Sequence, residues 1–113
     1  MEETLILGID PGFDRMGICV LEKKGSKEVL LYSACIVTNK KLSFEGRLGE
    51  IGKEISSLMK KYKPSELAME KLFFAKNQTT AIQVAEARGV VLYLAHTFGL
   101  SVHEYSPPQI KLA

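Results

Sequence analysis

The chain has 113 residues, a length that favours one domain and leaves room for one sheet with two or three helices, but not for two full α/β lobes. Hydrophobic residues make up 46% and charged residues 25%, the balance of an ordinary globular protein. The net charge of +2 is too mild to mark nucleic-acid binding by itself. No apolar run approaches ~18 residues, so no segment reads as a membrane span. Glu2-Glu3 offers neither a basic leader nor a cleavage site, so no signal peptide is expected and the expected location is cytoplasmic. Cys19 and Cys35 sit in strand-like apolar surroundings, without a second Cys or His at metal spacing. They are expected to be two buried, reduced thiols.

Leu5 to Asp10 reads as a first strand. It is apolar on both faces, as a central strand covered on both sides would be. Asp10-Pro11-Gly12 breaks it, because proline cannot continue the ladder and glycine permits a tight turn. Met16 to Glu22 is a second strand, and Lys23-Lys24-Gly25-Ser26-Lys27 a charged hairpin turn. Glu28 to Thr38 is a third, so the chain opens with an antiparallel meander.

The period then changes. Leu48, Ile51, Ile55, Leu58, Met59 and Tyr62 recur at spacings of three and four, which predicts an amphipathic helix over one face of the sheet. Pro64 stops it. Leu67 to Leu72 returns to strand character. Asn77 is a suitable N-cap for a helix from Thr79 to Thr97 that is apolar almost all the way round. A surface helix keeps a polar face, so this one should be buried on two sides, by the sheet and by a partner subunit. Ala81, Ala85 and Gly89 would let another helix approach closely. Gly99 ends it, Leu100 to Tyr105 is a fifth short strand, and Ser106-Pro107-Pro108 opens a final turn. The order is βββαβαβ, a mixed α/β pattern.

Two carboxylates stand in unusual places. Asp10 ends the first strand and Glu70 lies near the end of the fourth. Each is flanked by apolar residues and should be at least partly buried. A buried, unpaired carboxylate is costly, so a basic partner or a metal ion must compensate. If the two strands are parallel neighbours, both acids project at the carboxyl edge of the sheet, where open α/β sheets place their ligands. Two oxygen donors there suit Mg²⁺ or Mn²⁺, and the matching chemistry is metal-assisted phosphodiester hydrolysis. The blander reading makes Asp10 a turn residue and pairs Glu70 with a lysine.

Next to Glu70 runs Lys71-Leu72-Phe73-Phe74-Ala75-Lys76-Asn77. Aromatic and basic residues interleave here, in a loop where Phe can stack on an unpaired base and Lys can meet phosphate. Both Phe could instead be core, but two neighbours in a loop do not easily point the same way, so one of Phe73 and Phe74 should be available. Asp14 is expected to be a charged turn residue in water. His96 and His103 have no partners at ligand spacing. Gly8-Ile9-Asp10-Pro11-Gly12 lacks the lysine and spacing of a phosphate loop.

These segments together resemble the RuvC family of Holliday-junction resolvases, within the ribonuclease-H-like superfamily. The matching residues are Leu7-Gly8-Ile9-Asp10-Pro11-Gly12 with Gly17, Met69 to Asn77, Ala81, Ala85-Glu86-Ala87-Arg88-Gly89-Val90 and Glu104-Tyr105-Ser106-Pro107. The first motif alone also opens sugar kinases and actin-like ATPases; the second, with Ala-Lys-Asn and Ala-Arg-Gly at these spacings, is specific. The resemblance implies a mixed five-stranded sheet, three antiparallel strands followed by parallel ones, with helices on both faces and the final helix missing. It also implies one nuclease domain over residues 1–113 and a homodimer that cuts a four-way DNA junction with Mg²⁺. Asp10 and Glu70 would be catalytic metal ligands. Phe73 would match the family's base-stacking aromatic and Lys111 a DNA-contacting lysine, beside the loop residues Phe74, Lys76 and Asn77 already expected to meet DNA; the helix from Thr79 would form the dimer interface, and a branch-migration helicase complex would be a further partner.

The chain departs from that pattern in one respect. The family carries two further catalytic Asp residues on a C-terminal helix, and this sequence has no Asp after Asp14. Two divalent ions bring four positive charges, and Asp10 with Glu70 supplies two negative ones. The expectation is a chain whose C-terminal part is absent and which is inactive, or nearly so, alone. Two other readings stay open: a non-catalytic junction-binding or dimerisation module, and a YqgF-like nuclease acting on RNA.

Overall fold

The computed structural model describes residues 3–71 and 78–105. The elements are β1 (Thr4–Asp10), β2 (Arg15–Lys24), β3 (Lys27–Val37), α1 (Phe44–Tyr62), β4 (Glu66–Glu70), α2 (Gln78–Thr97) and β5 (Ser101–Tyr105). The strands form one sheet in the order β3-β2-β1-β4-β5. β1, β2 and β3 pair antiparallel, and β4 runs parallel to both β1 and β5. This is the expected five-stranded mixed sheet.

The local boundaries follow from backbone chemistry. The ladder of β2 and β3 continues until Lys24 pairs with Lys27, so the hairpin closes over Gly25-Ser26 rather than over the five residues expected. Gly25 takes the left-handed first corner, φ 63°, as in a type II′ turn. α1 starts four residues before Leu48, because the Ser43 side chain accepts a hydrogen bond from the Gly46 N–H at 3.1 Å and caps the first turn. It ends at Lys63, whose left-handed backbone (φ 50°, ψ 53°) sends its N–H to the Met59 carbonyl, and Pro64 prevents continuation.

Strand alternation sorts the side chains onto two faces. Leu7 and Ile9 of β1, Met16, Ile18 and Val20 of β2, and Leu67 and Met69 of β4 point one way. They pack against Ile51, Ile55, Leu58 and Met59 of α1 and Ala87, Val91 and Ala95 of α2. Gly52 brings the two helices together: a Cβ there would stand 3.3 Å from the Val90 side chain. Of the helices expected over both faces, the two described ones share this face. The opposite face carries Gly8, Asp10, Gly17, Cys19, Ala68 and Glu70, with no described helix upon it. The expectation that β1 is covered on both sides is therefore met on one side by the described residues.

α2 buries Ala81, Ala87, Val91 and Ala95, while Ile82 and Tyr93 stand 54% and 69% exposed. Gly89 faces open space, with no atom within 4 Å of where its Cβ would be. Along Ala81, Ala85 and Gly89 the burial grades: the first is buried, the second half-buried and the third exposed. At the other rim, Val29, Leu30, Leu31 and Val37 of the edge strand β3 are exposed.

Candidate functional site

Ile9↔Met69 is the last registered pair of the parallel β1–β4 ladder. One residue further on, Asp10 and Glu70 end their strands side by side, on the face away from the helices. Asp10 is exposed and Glu70 half-buried. The expectation that both are at least partly buried therefore fails for Asp10, because the helices cover the Leu7–Ile9 side of β1 instead. The Glu70 carboxyl titrates above its ordinary value of 4.5, first through desolvation, then through the charge of Asp10 and a hydrogen bond with it. No ion pair to either carboxylate is present among the described residues. The alternative that Glu70 is balanced by a lysine has no support within that set.

Small residues shape the surface beside the pair. A hollow of about 490 Å³ is lined by Gly8, Asp10, Gly17, Cys19, Ala68, Glu70 and Tyr105, among others. Gly17 lies opposite Asp10 in the ladder, and a Cβ on it would come within 3.3 Å of the Asp10 Cβ and 3.9 Å of Oδ2. At Gly8, a Cβ would collide with Cys19 Sγ at 2.7 Å. Tyr105 is paired with Glu70 across β4 and β5, a neighbour that periodicity alone did not single out. Both cysteines are free. Cys19 is half-buried, but Cys35 is exposed, a correction that follows from its place on an edge strand.

The turn after Asp10 is anchored on several sides. Gly12 is obligatory there, since a Cβ would lie 1.8 Å from the Arg15 carbonyl oxygen. Phe13 is buried and stacks on Phe44 with ring centroids 4.8 Å apart. Thr38 donates its N–H to the Asp14 carbonyl at 3.1 Å and its hydroxyl to the Phe13 carbonyl at 3.0 Å. Arg47 donates from Nε and Nη2 to that same hydroxyl, at 3.0 and 2.8 Å, and pairs with the Asp14 carboxylate. Asp14 remains largely in water, as expected, but it is not alone. Nothing in the sequence near Asp14 signals a partner 33 positions away.

Elsewhere, His103 lies 3.3 Å from Glu66, and Arg88, mostly buried, pairs with Glu104 and ties α2 to β5. Phe73, Phe74, Lys76, Asn77 and Lys111 lie outside the described residues. Among the described residues no group of three or more His, Cys, Asp or Glu gathers as a metal site. The donor set is therefore the Asp10–Glu70 pair. It fits one Mg²⁺, which binds through one or two carboxylates and keeps the rest of its shell for water and phosphate.

The family model described as "Crossover junction endodeoxyribonuclease RuvC" matches residues 6–113. The chain belongs to the RuvC family of Holliday-junction resolvases. It is 48% identical over 109 residues to the RuvC of Petrotoga mobilis, covering 96% of this chain and 67% of that one. It superposes on the RuvC of Thermus thermophilus, solved in complex with a Holliday junction substrate, with TM-score 0.88 at 28% identity, over 96% of this chain and 68% of that one. The yeast mitochondrial Holliday junction resolvase shares the fold, with TM-score 0.74 at 16% identity over 96% and 53% of the two chains. The chain thus spans about two thirds of the length of its RuvC relatives. No helix among the described residues is long and apolar enough to cross a membrane.

Proposed function

We propose that this chain carries part of the active site of a Mg²⁺-dependent endonuclease that cuts four-way DNA junctions at symmetric positions. The observation that carries this reading is the placement of Asp10 and Glu70 at adjacent parallel strand ends, on one face, without a cationic partner among the described residues. Like charges so close raise the proton affinity of one of them, and Glu70, desolvated by burial and next to the Asp10 charge, titrates above its ordinary value. A divalent cation relieves the same repulsion, with Mn²⁺ as an alternative to Mg²⁺. When bound, it supplies an activated water and charge stabilisation at the scissile phosphate.

Within this reading, Asp10 and Glu70 hold the ion. The open hollow floored by Gly8, Gly17 and Ala68 admits the phosphate backbone. One of Phe73 and Phe74 offers an aromatic surface to an unpaired base, while Lys76, Asn77 and Lys111 contact the strand. Two symmetric cuts call for two copies of the site, so the chain works as a homodimer through α2, whose outer side shows Ile82, Gly89 and Tyr93. By resemblance, a branch-migration helicase presents the junction. Asp10 and Glu70 together bring two negative charges, enough to balance one divalent ion.

One competing reading is a junction-binding module without catalysis. The test is cleavage of a synthetic four-way junction by the intact protein in Mg²⁺, beside Asp10→Asn and a linear RNA control. Symmetric cleavage of the junction, lost in the variant, is expected. Junction binding without cleavage would favour the module, and RNA cleavage in its place would favour the YqgF-like alternative.

A further inference from the structure

We propose that Arg47 is a positioning residue for Asp10, acting through Thr38 and the turn that follows β1. The inference rests on the reading of Asp10 as a metal ligand. Asp10 is the last residue of β1 in the ladder, opposite Gly17. Its carboxylate stands in solvent on a face where no described helix holds it. Besides its hydrogen bond with Glu70, what fixes its direction is the backbone on either side. The ladder secures one side; the turn Pro11-Gly12-Phe13-Asp14 must secure the other.

Two carbonyls of that turn are taken by one residue. Thr38, only 3% exposed, occupies both turn carbonyls, Asp14 through its N–H and Phe13 through its hydroxyl. A threonine hydroxyl has one proton to give and two lone pairs to fill. Here the proton goes to Phe13, and the lone pairs face Arg47 Nε and Nη2. The hydroxyl is therefore saturated, and its direction is set by the guanidinium. Arg47 is itself fixed: its side chain is 14% exposed, its guanidinium lies 4.2 Å above the Phe13 ring, and Phe13 is stacked on Phe44 in the same first turn of α1.

Arg47 has a second effect. It neutralises Asp14, so that this carboxylate adds no third negative charge to the edge where a phosphate must arrive. A planar fork can serve Thr38 and Asp14 together, which a lysine ammonium cannot reproduce. Ligands of a metal need their supporting partners to hold them within about 0.5 Å of the working geometry. Loss of such partners typically weakens metal binding ~10–100-fold.

The test uses the intact protein and Mn²⁺, followed by electron paramagnetic resonance, with Arg47→Met, Thr38→Val, Arg47→Lys and Asp10→Asn. Arg47→Met keeps a side chain over Phe13 but removes the fork; Thr38→Val keeps the shape but removes the hydroxyl. Both are expected to weaken Mn²⁺ binding about tenfold and to speed amide exchange across residues 10–15 without metal. Junction affinity in the absence of metal should not change, and Arg47→Lys should fall between wild type and Arg47→Met. If Arg47→Met does not fold, Thr38→Val decides alone. Wild-type Mn²⁺ affinity in the folded variants, with Asp10→Asn weakened, overturns the positioning role and leaves the metal reading intact. A loss of metal-free junction affinity in Arg47→Met with Mn²⁺ affinity unchanged overturns it too, making Arg47 a DNA contact. Unchanged Mn²⁺ affinity in Asp10→Asn overturns both the metal reading and this inference.

Discussion

The two faces of the sheet are built from the same strands, residue by residue in alternation, yet they follow opposite rules. The face under α1 and α2 carries Leu7, Ile9, Val20, Leu67 and Met69, nearly all inaccessible to water. The other face, one residue out of step, carries Gly8, Gly17, Ala68, Asp10 and Glu70. One set is large, apolar and satisfied by packing. The other is small or acidic, with two acids together and no cationic partner among the described residues. Packing against the helices belongs to the first face and the carboxylate pair to the second, and β1 and β4 deliver both because a strand turns alternate side chains to opposite sides.

Substitutions on the two faces should therefore separate cleavage from stability. The largest expected effect is on the acid face: Asp10→Asn should reduce junction cleavage in Mg²⁺ by ~10³-fold, the several kcal/mol that a metal contributes to charge stabilisation. Its unfolding midpoint should be unchanged or slightly raised, because a repulsion is removed. On the packed face, Leu7→Ala should lower unfolding free energy by ~2–5 kcal/mol in denaturant titration, while the Mn²⁺ affinity of the molecules still folded stays as in wild type. If Leu7→Ala weakened metal binding as strongly as Asp10→Asn, the division between faces would be wrong.

A subtler change probes the small residues. Gly17→Ala places a methyl 3.3 Å from the Asp10 Cβ. In a strand interior, Gly to Ala normally gains ~0.5–1 kcal/mol, so stability should hold or rise while metal affinity falls several-fold. An equal fall in both quantities would mean that Gly17 serves packing alone.

The smallest effect is in pH. Glu70 titrates above its ordinary 4.5 in the folded chain, so the native state binds more protons than the unfolded one in that range. The contribution is favourable below the unfolded value and is lost as pH rises from about 4.5 through the folded value. Glu70→Gln should flatten the metal-free stability profile across that window, measured by thermal unfolding, and Asp10→Asn should flatten it partly, since desolvation of Glu70 remains. A profile identical to wild type in both variants would contradict the coupling of the pair.

Much of this division was legible in the residues. Alternation and the change to a three-and-four spacing located the strands and helices, and matching strand ends brought Asp10 and Glu70 together on paper. The polarity of the faces was harder. Leu5 to Ile9 is apolar throughout, so the strand alone does not say which side the helices take, and Asp10 was expected to be partly buried for that reason. The early start of α1 was hidden because Gly46 and Gly49 are poor helix formers, and only the Ser43 cap marks the true boundary. Cys35 was expected inside because Ala34, Ile36 and Val37 surround it, and only the strand order places it on an edge. The Arg47–Thr38–Asp14 network left no trace in sequence spacing, since it joins a turn, a strand end and a helix that are neighbours only in the folded sheet.

The central claim, that Asp10 and Glu70 jointly hold a divalent cation, is met most directly by calorimetric titration of the intact protein with Mg²⁺ in two buffers of different ionisation enthalpy. The pair should bind the ion and release protons at mildly acid pH, because the carboxyl of Glu70 must give up its proton to coordinate. Both the binding and the proton release should disappear in Glu70→Gln. Mg²⁺ binding of wild-type strength in Glu70→Gln, or no Mg²⁺ binding by the intact wild-type protein, would contradict the claim.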